Sequence, residues 1–95
     1  MCSVFGMMLE KEIERKCCQL SKSFGWLSYK FVSPAQRGVP DRIFIKDSEV
    51  VFVEFKREGG KLSALQNKVI EDMRSKGATV YVVYSVEQFK EIFKC

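Results

Sequence analysis

The stretch GVPDRIFIKDSEVVFVEFKREGGK, residues 38–61, decides the fold. Residues 50–53 are apolar throughout, and then Glu54 and Lys56 interrupt what otherwise has the pattern of a buried strand. Charged side chains are rarely buried unless they are paired. Because side chains alternate across a strand, Glu54 and Lys56 point to one face and the apolar residues around them point to the other. The acid and the amine are therefore neighbours.

A hairpin brings a second acid toward this pair. Residues 42–45 and 50–56 form two predicted strands, and a tight turn centred between Asp47 and Ser48 places Asp41 opposite Glu54. Directly opposed residues share a face of the sheet, with Cβ atoms roughly 4.5–5.5 Å apart. Asp-Ser is not a preferred two-residue turn, and a slip of one residue would move Asp41 to the other face.

The opposed carboxylates have two interpretations. Two like charges at that distance repel, and a divalent cation between them reverses the sign of the interaction. Mg²⁺ prefers oxygen ligands, so Asp41 and Glu54 suit it. Alternatively, Glu54 and Lys56 face solvent from a half-exposed antiparallel strand, and Asp41 only ends a turn.

Hydrophobic periodicity predicts a single α/β domain over residues 1–95, with the element order αβββαβα. A four-stranded mixed sheet flanked by helices buries the apolar sides, and the crossover helix makes the third and fourth strands parallel. The first helix is predicted to bury Ile13, Cys17, Leu20 and Phe24, and the second Leu65, Val69, Ile70 and Met73. The predicted helices cover residues 8–23, 63–76 and a C-terminal segment capped by Ser85, and the predicted strands cover residues 26–32, 42–45, 50–56 and 79–84.

The amino-acid composition restricts the classes of partner and of catalytic mechanism that the chain can use. The 95 residues have a formal net charge of +4, which favours a polyanionic partner, and no histidine, which excludes Ser-His-Asp and Cys-His catalysis. The spacing of the cysteines (Cys2, Cys17, Cys18 and Cys95) fits neither a zinc finger nor a disulfide framework, so we expect free thiols and a reducing cytoplasm. Neither a signal peptide nor a membrane partner is expected.

Two motifs resemble a known family. The sequence RGVPDR at residues 37–42, followed by VVFVEFKREGGKLSALQ at residues 50–66, is similar to the virus-type replication-repair nuclease (VRR-NUC) domain, a branch of the PD-(D/E)XK nuclease superfamily. The resemblance extends over nearly the whole chain. The αβββαβ core of that superfamily agrees with the element order derived from periodicity.

The resemblance implies a set of site residues. Asp41 and Glu54 would bind Mg²⁺ or Mn²⁺, Lys56 would orient or polarise the attacking water, and Gln66 matches the glutamine of the family motif. Gln66 is also placed to close a capping box with Ser63, and both roles remain open.

The family also uses a glutamate in the first helix. Glu10, Glu12 and Glu14 compete for this position, and the spacing of Glu10 from Ile13 favours Glu10. A solvated helix face accounts for the others.

The function implied is metal-dependent, structure-selective cleavage of DNA, as in branched DNA such as Holliday junctions, by a homodimer in the cytoplasm of a bacterium or a phage-infected cell. No nucleotide cofactor is expected. The alternatives are a non-catalytic DNA-binding module and a nuclease subunit of a larger repair or restriction complex. Apolar residues that could form the dimer interface are Phe5, Met7, Phe89 and Phe93, and core packing accounts for them equally. Polar residues that could contact DNA near the site are Lys30, Gln36, Arg37, Arg42, Arg57 and Lys61, and an ordinary surface charge is the alternative for each basic residue among them.

Overall fold

The computed structural model describes residues 8–95. The predicted order of elements is confirmed, with boundaries that differ by one or two residues at most ends. No helix in this part of the chain is long and apolar enough to cross a bilayer. The elements are α1 (Glu10–Ser23), β1 (Leu27–Lys30), β2 (Arg42–Lys46), β3 (Glu49–Phe55), α2 (Ala64–Ser75), β4 (Thr79–Val83) and α3 (Val86–Phe93).

The four strands form one mixed sheet in the order β1-β2-β3-β4. β1, β2 and β3 are antiparallel neighbours, and β4 runs parallel to β3 after the α2 crossover. Asp47 and Ser48 form the predicted two-residue turn, with φ angles of 49° and 69° that belong to a type I′ turn. Arg42 pairs with Val53, so the register that places Asp41 opposite Glu54 is confirmed.

The main core lies between one face of the sheet and the helices α1 and α3. Phe44 and Phe55 on this face are fully buried against Phe89 and Phe93 of α3, whose rings stack with centroids 4.0 Å apart. Of the two interpretations of Phe89 and Phe93, core packing is therefore confirmed and the dimer interface is wrong, because both side chains are buried in the core. The other two residues of that prediction, Phe5 and Met7, lie outside the described residues.

On the opposite face of the sheet α2 packs at β4, where Val69 and Ile70 are buried, and it leaves the β1 end of that face exposed. Two predicted core residues are exposed instead, Phe24 by 44% and Leu65 by 44%. Phe24 is the C-cap of α1, where the chain has already left the helical path that periodicity assumed. Ser21 is buried in the main core, and its hydroxyl donates to the carbonyl oxygen of Cys18 over 3.0 Å.

The loop between β1 and β2 is fitted closely to the start of α2. Gly38 has a φ of +89°, and a Cβ at this position would lie 3.0 Å from Leu65 Cγ, so only glycine fits without displacement. Pro40 is buried just before Asp41. This packing fixes the segment that carries Asp41 beside the carboxyl-terminal end of β3, where Glu54 lies.

Candidate active site

Three carboxylates converge at the carboxyl-terminal end of β3. Each of Glu10, Asp41 and Glu54 contributes one oxygen, and these oxygens all lie within 4.8 Å of one another. Glu10 comes from the first turn of α1, Asp41 immediately precedes β2, and Glu54 is the penultimate residue of β3. Strand pairing brings Asp41 and Glu54 together, and the packing of α1 on the sheet adds Glu10.

Glu54 is the most deeply buried of the three, with 2% of its surface exposed. Its Oε2 atom accepts a hydrogen bond from Gln66 Nε2 over 3.1 Å and lies 3.7 Å from the Lys56 ammonium. Its Oε1 atom is buried and has no hydrogen-bond partner among residues 8–95. Burial, followed by repulsion from Asp41, raises the pKa of Glu54 from 4.5 to about 7, although Lys56 partly opposes the rise.

Asp41 is held by a backbone amide of the neighbouring strand. The Phe55 N–H donates to Asp41 Oδ2 over 2.8 Å, and Phe31 N–H donates to the Asp41 carbonyl oxygen over 2.9 Å. Burial raises the pKa of Asp41 above its usual value, Phe55 opposes this rise, and Glu14 and Glu10 add to it. Burial and neighbouring negative charges therefore disfavour the ionised form of both Asp41 and Glu54.

The three glutamates of α1 have different contacts. Glu10 reaches the acidic cluster, as favoured from the sequence. Glu12 accepts a hydrogen bond from the Leu9 N–H over 3.1 Å and serves the helix N-terminus. Glu14 accepts a hydrogen bond from Arg42 Nε over 2.7 Å and lies 3.9 Å from the Lys30 ammonium.

Gln66 forms the capping box expected from the sequence and also contacts Glu54 of the acidic cluster. Its Oε1 accepts from the Ser63 N–H over 2.9 Å, and its own N–H donates to Ser63 Oγ over 3.0 Å, which completes the capping box. Because Oε1 is used by the cap, Nε2 is directed to Glu54. The N-terminus of α2 therefore fixes the orientation of the Glu54 carboxylate.

The six side chains named for DNA contact differ in their exposure and in their hydrogen-bond partners. Lys30 and Arg42 both pair with Glu14, and the Arg42 side chain is only 25% exposed. Gln36 donates to the carbonyl oxygen of the neighbouring Arg37 over 2.8 Å. Arg37, Arg57 and Lys61 are exposed and form no ion pair among residues 8–95, although Arg57 Nη1 donates to the Glu58 carbonyl oxygen over 3.4 Å.

Two contacts at the site were not predicted from the sequence. Nothing in the sequence signals that the Phe55 N–H binds Asp41, because that bond depends on how the chain approaches β2. The pairing of Glu14 with Arg42 did leave a signal, since Glu14 follows Glu10 by one helical turn and Arg42 follows Asp41 directly.

The acidic cluster has the donor set that a divalent cation requires. Hard cations such as Mg²⁺ take carboxylate oxygens as ligands. The buried Glu54 Oε1 lacks a protein partner among the described residues, and buried polar atoms are rarely left without one. The chemistry of Glu10, Asp41 and Glu54 therefore fits a divalent metal.

The αβββαβα order and the carboxylates at the end of the hairpin define a domain of the PD-(D/E)XK nuclease class. The VRR-NUC domain model matches residues 9–87, and the chain belongs to this family of nuclease domains. A solved structure described as a VRR_NUC domain superposes with a TM-score of 0.82 at 26% identity, covering 90% of this chain and 94% of the other. A protein of Acyrthosiphon pisum secondary endosymbiont phage 1, described as "Putative nuclease p44", is 38% identical over 61 residues. That match spans 63% of this chain and 66% of the phage protein, slightly less than two thirds of its length.

The raised pKa of Glu54 predicts a pH-dependent stability in the absence of metal. The folded state binds the Glu54 proton more tightly than the unfolded state, so the free energy of unfolding falls as pH rises from 4.5 to about 7. Glu54→Gln removes the buried charge. We expect the free energy of unfolding of this variant, measured relative to wild type, to be higher at pH 8 than at pH 4 by up to about 3 kcal/mol. Urea unfolding in EDTA across this range measures the difference, and parallel pH curves for the two proteins would contradict it.

Proposed function

We propose that this chain is a Mg²⁺- or Mn²⁺-dependent endonuclease that hydrolyses phosphodiester bonds in DNA. The observation that carries the proposal is the convergence of Glu10, Asp41 and Glu54, with one buried carboxylate oxygen left without a partner in the described chain. Membership of a nuclease family and similarity to a phage protein described as a nuclease support the same activity.

The acids form the proposed metal site. Asp41 and Glu54 would hold the metal, and Glu10 contributes an oxygen within 4.8 Å of theirs and would assist them. When bound, a divalent cation neutralises charge on the phosphate and lowers the pKa of a water molecule. The cation also favours the ionised form of Glu54, whose pKa the apolar surroundings raise to about 7.

Lys56 and Gln66 complete the proposed catalytic set. The Lys56 ammonium, 3.7 Å from Glu54 Oε2, is placed to hold the nucleophilic water or a phosphate oxygen beside the acids. The Gln66 amide holds Oε2 of the same carboxylate, which leaves Oε1 for the metal. No covalent intermediate is required, which agrees with a chain that contains no histidine.

We further propose that the substrate is branched DNA, such as a Holliday junction, recognised by shape. We propose that residues 1–95 form one nuclease domain, in which the described elements are the αβββαβ core and the additional helix α3. We propose that the exposed side chains of Arg37, Arg57, Lys61 and Lys30 contact phosphates. The proposed location is the cytoplasm of a bacterium or a phage-infected cell, in keeping with the phage relative.

Two other functions use the same fold. A non-catalytic DNA-binding module would not need a lysine and a glutamine arranged around a buried glutamate, as Lys56 and Gln66 are here. A nuclease subunit of a larger repair or restriction complex would keep the whole arrangement and would cut DNA only with its partner.

A cleavage assay on linear, flapped and four-way DNA with Mg²⁺, Mn²⁺ or EDTA tests the activity. We expect cleavage with either metal, fastest on the four-way substrate, and none in EDTA. Glu54→Ala removes a proposed metal ligand and Lys56→Ala the proposed water-orienting group, so we expect each to slow cleavage by roughly 100-fold or more.

The matched control is Glu58→Ala, which removes an exposed acid four residues from Glu54. This control should cut at the wild-type rate. Normal cutting by Glu54→Ala would show that the site is assigned wrongly. If the wild type cuts none of the substrates with either metal, the isolated chain is not the endonuclease proposed here.

A homodimer is proposed because two active sites related by a two-fold axis match paired cuts in a symmetric junction. Leu27, Tyr29 and Val50 are 45% to 56% exposed and offer apolar surface on the sheet for such contact. Light scattering should give a mass of two chains of 11.0 kDa each, and the complex with junction DNA should have the mass of two chains plus that of the DNA. A mass corresponding to one chain in that complex would rule the dimer out.

A further inference from the structure

We infer that the ion pair between Glu14 and Arg42 positions the metal-binding acids, and that Arg42 is a positioning residue and not a phosphate contact. The inference rests on the metal site proposed above. It replaces the role in DNA contact that the sequence suggested for Arg42.

The ion pair joins the two backbone segments that carry two of the acids. Glu14 lies one helical turn after Glu10 on α1, and Arg42 directly follows Asp41 at the start of β2. Arg42 Nε donates to Glu14 Oε2 over 2.7 Å. Any sliding or rotation of α1 on the sheet that separated Glu10 from Asp41 would also have to break this contact.

The pair is shielded from solvent, unlike ordinary surface ion pairs. The side chains of Glu14 and Arg42 are 14% and 25% exposed, whereas those of the pair Lys68 and Asp72 on α2 are 71% and 66% exposed. Short charge-assisted hydrogen bonds in such surroundings are stronger and more directional than exposed pairs, which contribute little. The contact is therefore suited to fix the position of one element against another.

Nothing else among the described contacts holds the first turns of α1 to β2 by polar atoms. Glu12 is used by the helix N-terminus, and Ile13 and Cys17 are buried in the apolar core. Apolar packing resists separation but gives less directional control than a hydrogen bond. Groups that hydrogen-bond metal ligands directly typically change metal affinity by roughly 10-fold to 100-fold when removed, and this pair acts through the backbone, so we expect the lower end of that range.

Calorimetric titration with Mn²⁺ in the absence of DNA tests the inference. Arg42→Met and Glu14→Met each remove the contact, so we expect both to raise the dissociation constant for Mn²⁺ roughly 10-fold. Charge alone predicts opposite signs, because loss of a cation near the site favours metal binding and loss of an anion disfavours it. Glu14→Gln keeps an oxygen that can accept from Arg42 Nε and should restore nearly wild-type affinity.

Three further measurements separate positioning from other roles. At saturating Mn²⁺ the cleavage rates of both methionine variants should return toward wild type, whereas the Mn²⁺ concentration for half-maximal rate stays raised. DNA binding by Arg42→Met in EDTA should match wild type. Lys68→Met, which breaks the exposed pair on α2, should leave the Mn²⁺ dissociation constant unchanged.

Two results would overturn the inference. One is opposite shifts of Mn²⁺ affinity in Arg42→Met and Glu14→Met, which would indicate simple electrostatics. The other is weakened DNA binding by Arg42→Met in EDTA with unchanged Mn²⁺ affinity, which would make Arg42 a phosphate contact. Failure of the proposed function is distinguishable, because wild type would then bind no Mn²⁺ at this site and cut no DNA.

Discussion

A buried carboxylate needs a proton, hydrogen bonds or a cation, and Glu54 has only part of what it needs. Gln66 and Lys56 satisfy one oxygen, and the other has no partner in the described chain. Repulsion from Asp41 increases the demand. A divalent cation would meet this requirement, and the proposed mechanism depends on it. Without metal the site is a source of instability above the pKa of Glu54, and with metal the same burial strengthens the interaction.

The rest of the fold places the other proposed metal ligands and the hydrogen-bond partners of Glu54 around this one side chain. The hairpin register brings Asp41 opposite, and the Phe55 amide fixes its carboxylate. The N-terminal cap of α2 orients Gln66 toward Glu54, so a single amide serves both the helix and the site. The helix α1, buried through Ile13 and Cys17, carries Glu10 to the cluster. A domain of this size uses the same residues to stabilise its fold and to form its site.

The alternation of apolar and polar residues along the chain was sufficient to predict the sheet and the positions of Asp41 and Glu54 in it. A two-residue turn and strict alternation fix the hairpin register, and Asp47 and Ser48 accept positive φ angles although the pair is not a preferred turn. The sequence was less informative where the position of a helix against the sheet decides contacts. Phe24 lies past the last helical residue and Leu65 lies beside Gly38. Neither side chain therefore lies on the buried helix face that periodicity assigned to it. The pairing of Glu14 with Arg42 likewise depends on tertiary packing.

The central claim is that Glu54 and Asp41 share one divalent cation. Anomalous scattering from crystals grown with Mn²⁺ tests this most directly, because it locates the metal independently of any activity. The account predicts a peak in direct contact with a carboxylate oxygen of Asp41 and with Glu54 Oε1, and loss of that peak in Glu54→Gln. A Mn²⁺ peak elsewhere, with Glu54 Oε1 still lacking a partner, would contradict the account.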